Sequence, residues 1–276
     1  MTPTFVDRAD AGWRLAELLE IYRIRDPVVL GLPRGGVPVA YQVAASLAAP
    51  LDVVVVRKLG VPFQPEVAMG AVGEEGVRIV DRDMVDRAGV TDAEVAEVER
   101  HERAVLHERL RRYRRRRSRV DLTGRTAIVV DDGVATGSTA RAACRIARLL
   151  GAAEVVLAVP VGPPDVLRHV PEADVVVALA EPDDFRAVGY HYRDFAPTAD
   201  DEVIVLLDRA ARRLLDDECG TGAPDVDLDL DLEVDGVGLG GRLHLPDPVR
   251  AVGAVGPRQR QRPTPPTPPA GGRPPA

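Results

Sequence analysis

The chain has 276 residues, of which 45% are hydrophobic and 29% are charged, so it can bury a core and is not disordered throughout. The net charge of −7 argues against a protein that coats nucleic acid over its whole surface, although it permits a local basic patch. Two cysteines, Cys144 and Cys219, exclude a disulfide framework and suit a reducing compartment. No apolar run approaches the roughly 18 residues of a membrane span, and Met1 to Asp10 lack the apolar segment of a signal peptide. We therefore expect a cytoplasmic protein with no membrane partner.

Short apolar runs rich in β-branched residues alternate with helical patterns along most of the chain. The predicted strands span residues 28–32, 52–56, 126–130, 154–160 and 174–179, and the predicted helices span residues 36–47, 95–116, 139–150, 164–170 and 200–217. Residues 68–72 and 77–80 flank a Gly-Glu-Glu-Gly loop, which predicts a β-hairpin flap. Strands that are apolar on both faces and alternate with helices indicate an α/β fold with a doubly wound parallel sheet.

The segment with the clearest chemistry is a strand that ends in two carboxylates and continues through a hydroxyl-rich loop into a helix. It reads Thr126-Ala-Ile-Val-Val-Asp131-Asp132-Gly-Val-Ala135-Thr136-Gly137-Ser138-Thr139. The loop amides and the N-terminus of the following helix can surround a phosphate, and the hydroxyl side chains add neutral donors. The two carboxylates can accept hydrogen bonds from a vicinal diol, or coordinate a divalent cation through water. The alternative is an ordinary helix N-terminus, where the acids only complement the helix dipole.

This array resembles the phosphate-loop signature of the type I phosphoribosyltransferases, which bind 5-phosphoribosyl 1-diphosphate (PRPP). The resemblance spans about Phe5 to Asp217 and is closest to a branch commonly called predicted phosphoribosyltransferases, whose features include a flap and a small hood. It implies that Asp131 and Asp132 hold the ribose hydroxyls and, through water, a Mg²⁺ ion. It also implies that the 5-phosphate is held by the loop residues Ala135, Thr136, Gly137, Ser138 and Thr139.

A second loop extends the resemblance to the diphosphate of PRPP. In residues 30–37 a strand is followed by a glycine-rich turn and a helix. The resemblance implies that Arg34, Gly35 and Gly36 in this turn bind diphosphate. In the family the turn often contains a cis peptide bond that does not precede proline. The alternative is a plain strand-to-helix turn.

Two cations, Arg57 and Lys58, follow the predicted strand 52–56, at the edge where open α/β sheets bind ligands. Lys58 is the only lysine among the 36 residues that are lysine or arginine. In the family a basic residue here contacts diphosphate, so Arg57 and Lys58 are candidate PRPP-binding residues. The following segment, residues 59–68, corresponds to a mobile lid, and its prolines and glycine suit an irregular conformation.

Residues 181–195 contain four of the nine phenylalanine and tyrosine residues of the chain. In the family the segment after the last strand is the hood that supplies the acceptor-base pocket. Phe185, Tyr192 and Phe195 are therefore candidates to stack on a planar base. The alternative is that these rings only pin the loop to the core.

The resemblance implies transfer of the 5-phosphoribosyl group from PRPP to a small nitrogenous acceptor, with release of diphosphate and with Mg²⁺ as cofactor. Arg34, Lys58, Asp131 and Asp132 are the candidate catalytic residues, which would position the reactants and neutralise the leaving group. In the 6-oxopurine branch an acid stands where this chain has Ala135, so hypoxanthine–guanine activity is disfavoured. Adenine-like, orotate-like and other acceptors stay open, as does an assembly of identical subunits.

Three further titratable residues lie near the predicted site. Glu66 and Glu74 are lid or flap carboxylates, and surface charge is their expected role. His191 could approach a base, but a loop histidine with its hydrogen bonds satisfied is the favoured interpretation.

A dense arginine cluster around Tyr113 suggests a competing function. Its members are Arg109, Arg111, Arg112, Arg114, Arg115, Arg116, Arg117 and Arg119. Such a cluster is compatible with nucleic-acid phosphates, so the alternative to an enzyme is a PRPP-sensing regulator or an RNA-binding protein. Glutamates upstream on the same predicted helix permit i,i+4 ion pairs with some of these arginines. A solvated helix or a subunit contact is therefore favoured over nucleic-acid binding.

Composition changes near Gly220, and residues 1–219 are expected to form the phosphoribosyltransferase domain. From Asp225 to Asp235 acids alternate with Val or Leu, as in a strand. Leu232 to Pro246 resembles the first β-hairpin of a dienelactone-hydrolase-like domain, but no nucleophile elbow follows. Residues 220–252 are therefore interpreted as a linker and truncated remnant. Residues 253–276 are rich in Pro, Gly and Arg and are expected to be disordered.

Overall fold

A computed structural model describes residues 5–115, 117–218, 226–234 and 237–245, with side chains up to Leu215. The chain divides into two compact units, residues 1–215 and 216–276, which are described separately. Arg116, Cys219 and the predicted disordered tail of residues 253–276 lie outside the described residues.

The helices and strands follow one another as the alternating pattern predicts. The helices are α1 (Arg8–Leu19), α2 (Gly36–Leu47), α3 (Arg82–Ala88), α4 (Asp92–Arg114), α5 (Ser138–Leu149), α6 (Pro164–Leu167) and α7 (Asp200–Glu218). The strands of the first unit are β1 (Pro27–Gly31), β2 (Leu51–Val53), β3 (Arg57–Val61), β4 (Gln64–Val72), β5 (Arg78–Val80), β6 (Thr126–Val130), β7 (Glu154–Val161) and β8 (Val175–Ala180).

Five parallel strands form the central sheet in the order β2-β1-β6-β7-β8. β1 pairs with β6 from Pro27 opposite Thr126 to Gly31 opposite Val130. The chain runs outward from β1 to β2 and then returns to the other side of β1, so the strand order reverses between β1 and β6. Open α/β sheets bind ligands at such a switch point, beyond the carboxyl ends of the strands.

Helices cover both faces of this sheet because successive strand residues point to opposite sides. Val29 of β1 and Ile128 of β6 pack in one core with residues of α1, α2 and α7. Val28 and Val129 pack in a second core with residues of α5. The prediction of an α/β fold with a doubly wound parallel sheet is confirmed.

The flap is a separate antiparallel sheet in the order β3-β4-β5, and the predicted hairpin is its β4–β5 half. The prediction of an irregular conformation at residues 59–68 is wrong, because β3 and β4 pair across a tight turn. Leu59, Val61 and Met69 are buried in a small core to which α3 and α4 contribute. This packing outweighs the local turn preference of the prolines and glycine.

Two helices of the first unit were not predicted, and both begin with an aspartate cap. The Asp7 side chain accepts a hydrogen bond from the amide of Asp10 at the start of α1, and Asp81 does the same for Met84 in α3. A capping box of Thr91 and Glu94 starts α4 three residues before the predicted boundary. The sequence carries these cap signals, and they could have located all three helix starts.

The second unit contains an antiparallel hairpin of β9 (Val226–Val234) and β10 (Val237–Leu245). The strand predicted from the alternating acids is confirmed by β9. The interpretation of this region as a hydrolase remnant stays a prediction. In the described part of the chain, no helix is both long enough and apolar enough to cross a membrane.

Candidate functional site

Two loops meet at the switch point between β1 and β6. One leads from β1 into α2, the other from β6 into α5, and the amide of Leu32 joins them by donating to the carbonyl of Val130 at 2.9 Å. A Cβ on Gly36 would lie 2.6 Å from the Val130 carbonyl oxygen, and one on Gly35 would overlap the Asp132 carboxylate. The backbone therefore excludes a side chain at Gly36, and a side chain at Gly35 would displace the Asp132 carboxylate, so the two loops lie in close contact.

The glycine-rich turn contains a cis peptide bond between Pro33 and Arg34, as the family resemblance implies. Arg34 is exposed, and its side chain forms no hydrogen bond or ion pair with the residues that the structure describes. Its guanidinium is thus available beside the paired loops.

The carboxylates predicted to hold ribose lie at the carboxyl end of β6. Asp131 Oδ1 accepts a hydrogen bond from the amide of Asp132 at 2.9 Å. Burial raises the pKa of Asp131 well above its ordinary value, and the neighbouring Asp132 carboxylate raises it further. Burial also raises the pKa of Asp132, although Arg8 opposes this shift. Two crowded, partly desolvated acids favour a ligand that offers hydroxyl donors or positive charge.

Sequence reasoning missed Arg8, which lies on α1 and contacts this acidic pair. Arg8 Nε is 2.8 Å from Asp132 Oδ2, and its Nη1 donates to the carbonyl of Ala196 at 2.8 Å. The guanidinium also lies 4.0 Å from the centroid of the Phe195 ring. No local motif marks Arg8, because the contact joins residues that are 124 positions apart.

The predicted phosphate loop is open and well supplied with donors. Thr136 Oγ1 and Ser138 Oγ are 3.2 Å apart, and both hydroxyls lie at the surface. Gly137 caps α5 with φ of +76°, a conformation that favours glycine. The surface hydroxyls and the start of a 12-residue helix can together receive an anion.

Arg57 and Lys58 lie near the same edge of the sheet but do not directly follow the strand as predicted. β2 ends at Val53, and the two cations are the first residues of β3 in the flap. Arg57 Nη2 pairs with Glu102 Oε2 of α4 at 2.6 Å. Lys58 is exposed and has no ion-pair partner in the described part of the chain.

The hood aromatics fall into different environments. Tyr192 is buried, its ring centroid is 5.3 Å from that of Phe5, and its hydroxyl donates to the carbonyl of Asp132 at 2.6 Å. Phe195 contacts Tyr192 and Arg8, whereas Phe185 stacks on the His191 ring at 5.7 Å. The contacts of Tyr192 favour the alternative in which a ring pins the hood to the core.

The arginine cluster is largely engaged within the protein. Arg114 pairs with Asp52 and Glu74, Arg112 with Asp200, and Arg117 with Asp208. These acids come from other elements rather than from the glutamates upstream on α4. Three of those glutamates, Glu97, Glu99 and Glu102, instead pair with arginines outside the cluster.

Glu74 corrects a sequence-based expectation. It was expected as surface charge, but it is buried with the Arg114 guanidinium against its carboxylate. Burial raises the pKa of Glu74, although Arg114 opposes that shift. The error arises because the loop between β4 and β5 folds against the core. Glu66, by contrast, is exposed.

No group of three or more His, Cys, Asp or Glu side chains could hold a metal ion among the residues that the structure describes. The acidic pair at the end of β6 supplies two carboxylates only. Any ion held there would take its remaining ligands from water or a bound phosphorylated sugar.

A doubly wound sheet with paired loops at its switch point, one of them the predicted phosphate loop behind two acids, is the arrangement expected of the phosphoribosyltransferase class. The chain matches the sequence model of the phosphoribosyl transferase domain over residues 11–194 and belongs to this family.

Similar proteins come from two bacteria. Two curated proteins of Mycobacterium tuberculosis are each 57% identical to this chain over 209 residues. They are named "Putative phosphoribosyl transferase" MT0597 (strain CDC 1551 / Oshkosh) and Rv0571c (strain H37Rv). The match covers 75% of this chain and 47% of each relative. The chain thus spans about half the length of the curated relatives it matches. The crystal structure of TT1426 from Thermus thermophilus is 43% identical with a TM-score of 0.67, and the match covers 74% of this chain and 97% of that chain.

Proposed function

We propose that this chain transfers the 5-phosphoribosyl group of PRPP to a nitrogenous acceptor in the cytoplasm. The bond between ribose C1 and the diphosphate oxygen breaks, and the diphosphate leaves with the electron pair. A bond forms between C1 and the acceptor nitrogen, which releases its proton to solvent. Catalysis of such a reaction requires positioning of the reactants and neutralisation of charge on the leaving group.

The observation that carries this proposal is the close approach of the two loops at the switch point. Gly35 and Gly36 lie against Asp131 and Asp132 with no room for a Cβ, so the loops share one ligand surface. A ligand with a phosphate, a diol and a diphosphate matches the order of groups along that surface. The phosphate would lie on Ala135 to Thr139, the ribose hydroxyls on the acidic pair, and the diphosphate beside Arg34 and Lys58.

The acidic pair fits a Mg²⁺ ion held through water. Burial raises the pKa of both Asp131 and Asp132, the Asp132 carboxylate raises that of Asp131 further, and Arg8 opposes these shifts only in part. When bound with PRPP, Mg²⁺ would neutralise charge on the diphosphate. The protein side chains would orient the sugar and hold the leaving group in place.

Calorimetric titration with PRPP and Mg²⁺ tests the shared binding site. We expect binding by the full chain and a loss of affinity of about tenfold or more in Asp132→Asn, since a charged hydrogen-bond acceptor is removed. Asp86→Asn, an exposed acid of α3, is the matched control and should bind as the unmodified protein does. No binding by the unmodified protein would reject the site, and unchanged affinity in Asp132→Asn would reject the ribose assignment.

A panel of nitrogenous bases, scored for diphosphate release, then separates an enzyme from a PRPP-sensing regulator. Release with at least one base identifies an enzyme, whereas PRPP binding without release identifies a regulator. The RNA-binding alternative has weak support, because Arg112, Arg114 and Arg117 pair with acids of the same chain. A salt-dependent RNA-binding assay tests it directly.

A further inference from the structure

One guanidinium, that of Arg114 at the end of α4, holds both ends of the strand pair that carries Lys58. On one side Arg114 Nε donates to Asp52 Oδ1 at 2.9 Å, and its Nη2 donates to the carbonyl of Val53 at 3.1 Å. On the other side Nη2 donates to Glu74 Oε1 at 2.9 Å. Asp52 and Val53 belong to β2, and Glu74 lies in the loop after β4. Arg114 thus joins the residues before β3 to the residues after β4.

This connection is shielded from water. The side chains of Arg114, Asp52 and Glu74 have exposed fractions of only 12%, 6% and 5%. Asp52 is itself held in place, because its carboxylate accepts from the amides of Val53 at 2.8 Å and Val120 at 3.0 Å. Charge-assisted hydrogen bonds are strong in such surroundings, so the guanidinium fixes β2 and the flap loop relative to each other.

Lys58 lies on the segment between these two fixed ends. It is the second residue of β3, and it pairs with Ala71 of β4, close in sequence to Glu74. Its side chain is exposed and has no hydrogen-bond or ion-pair partner in the part of the chain that the structure describes. The position of its ammonium group therefore depends on where the backbone of β3 is held.

Other residues of α4 also contact the flap, but they do not reach the central sheet. Arg103 donates to the carbonyl of Gly76 at 3.1 Å, and Glu102 accepts from Arg57 Nε at 2.7 Å. Within the described residues of α4, Arg114 alone has side-chain hydrogen bonds both to the flap and to a strand of the central sheet. It is therefore the residue that sets the flap against the edge where the diphosphate would lie.

We propose that Arg114 is a positioning residue for the phosphoribosyl transfer: by holding both ends of the β3–β4 pair, it sets where Lys58 meets the diphosphate of PRPP. Arginine suits this task because its planar fork spreads its donors apart, whereas the three donors of a lysine diverge from a single nitrogen. The inference rests on the proposed function, in which Lys58 lies beside the leaving group. A network that only stabilised the fold would instead affect every ligand of the site alike.

Two ligands separate the diphosphate from the rest of the site. Ribose 5-phosphate has the phosphate and the ribose hydroxyls of PRPP but lacks the diphosphate. Glu74→Gln removes the flap charge that Arg114 binds and keeps the size of the side chain. In calorimetric titrations with Mg²⁺, it should weaken PRPP binding on the order of tenfold, the effect of one displaced charge-assisted contact, and leave ribose 5-phosphate binding unchanged. Equal losses for both ligands, or unchanged PRPP affinity, would overturn the proposal.

A double variant assigns the loss to Lys58. Lys58→Ala should itself weaken PRPP binding, and the addition of Glu74→Gln should then cause little further loss, because both substitutions disturb one contact. If Glu74→Gln causes its full loss in the Lys58→Ala background as well, the network does not act through Lys58 and the assignment is wrong.

A second variant and a control complete the test. Arg114→Lys keeps a cation between the two carboxylates but loses the fork, and it should show the same selective loss of PRPP affinity if Glu74→Gln does not fold. Glu154→Gln breaks an ion pair with Arg25 at the amino end of β7, and as the matched control it should bind both ligands as the unmodified protein does. If the unmodified protein does not bind PRPP, the proposed function itself fails, and that titration precedes every comparison of variants.

Discussion

Arg8 Nε lies 2.8 Å from Asp132 Oδ2, so the first helix reaches into the acidic pair that follows β6. The side chains of both residues are largely buried, with exposed fractions of 12% and 16%. Tyr192 holds the same aspartate from another side, through its hydrogen bond to the Asp132 carbonyl. Asp132 is therefore oriented by α1 and the hood together, two elements far from it in the sequence.

Replacement of Arg8 should destabilise the protein. Arg8→Gln leaves the Asp132 carboxylate buried and uncompensated, and breaking such a pair costs about 3–5 kcal/mol when both partners are fully buried. Because this pair is partly exposed, we expect a loss of about 1–3 kcal/mol in the free energy of unfolding, measured by urea denaturation at pH 7. Arg14→Gln breaks an exposed i,i+4 pair on the same helix and should cost less than about 1 kcal/mol. Equal losses in the two variants would contradict a special role for Arg8.

Removal of the Asp131 charge should stabilise the fold and weaken ligand binding. An acid whose pKa is raised in the folded state binds its proton more strongly there, so the free energy of unfolding falls as pH rises from the unfolded-state pKa to the raised one. At pH values above the raised pKa, each pKa unit of the shift lowers the free energy of unfolding by about 1.4 kcal/mol. Asp131→Asn keeps the oxygen that accepts from the Asp132 amide but removes the charge. We expect a higher unfolding free energy at pH 7, a flatter pH dependence, and weaker PRPP binding.

Thermal unfolding between pH 4 and pH 8 measures this effect, with Asp86→Asn as the control. The difference in Tm between Asp131→Asn and the unmodified protein should shrink toward pH 4, because protonation of Asp131 removes its charge from the folded state there. A constant difference across the range would show that charge is not its cause.

The Arg114 ion pairs should be the costliest contacts of the arginine cluster to lose. Arg114 Nε lies 2.9 Å from Asp52 Oδ1, and its Nη2 lies 2.9 Å from Glu74 Oε1. Arg114→Met leaves two buried carboxylates without their cation, which should cost about 3–5 kcal/mol in unfolding free energy. Arg111→Met replaces an exposed arginine of the same helix, and its free energy of unfolding should stay within about 0.5 kcal/mol of that of the unmodified protein. Similar values for both would mean that the buried network contributes little to stability.

Lys58→Arg should impair turnover without affecting folding. Lysine is a compact charge on a flexible stem and arginine a planar fork, so the two do not fit the same phosphate oxygens equally. We expect a loss in kcat/KM on the order of tenfold, which corresponds to about 1.4 kcal/mol of transition-state stabilisation. Steady-state diphosphate release measures the loss, and an unchanged Tm shows intact folding. If kcat/KM of this variant equals that of the unmodified protein, Lys58 has no specific role in turnover and the position of the only lysine is a coincidence.

The central sheet could be predicted because its signals are local. The run Thr126–Val130, the acidic pair and the start of α5 lie within a few residues, and each follows from strand composition or helix capping. The flap was only half predicted. Local turn preference at Pro62 and Pro65 suggested an irregular segment, whereas β3 and β4 form a bulged hairpin because Leu59, Val61 and Met69 share a core.

The sequence by itself determined the class of fold, and it located the predicted phosphate loop and the acidic pair, since each depends on a short pattern of polarity and backbone freedom. Only the tertiary structure decided which charges meet: Arg8 with Asp132, and Arg114 with Asp52 and Glu74. Partners of this kind lie on different elements, and their separation along the chain carries no signal of contact. Burial then decides their energetics, because a charge removed from water must find a partner or shift its pKa.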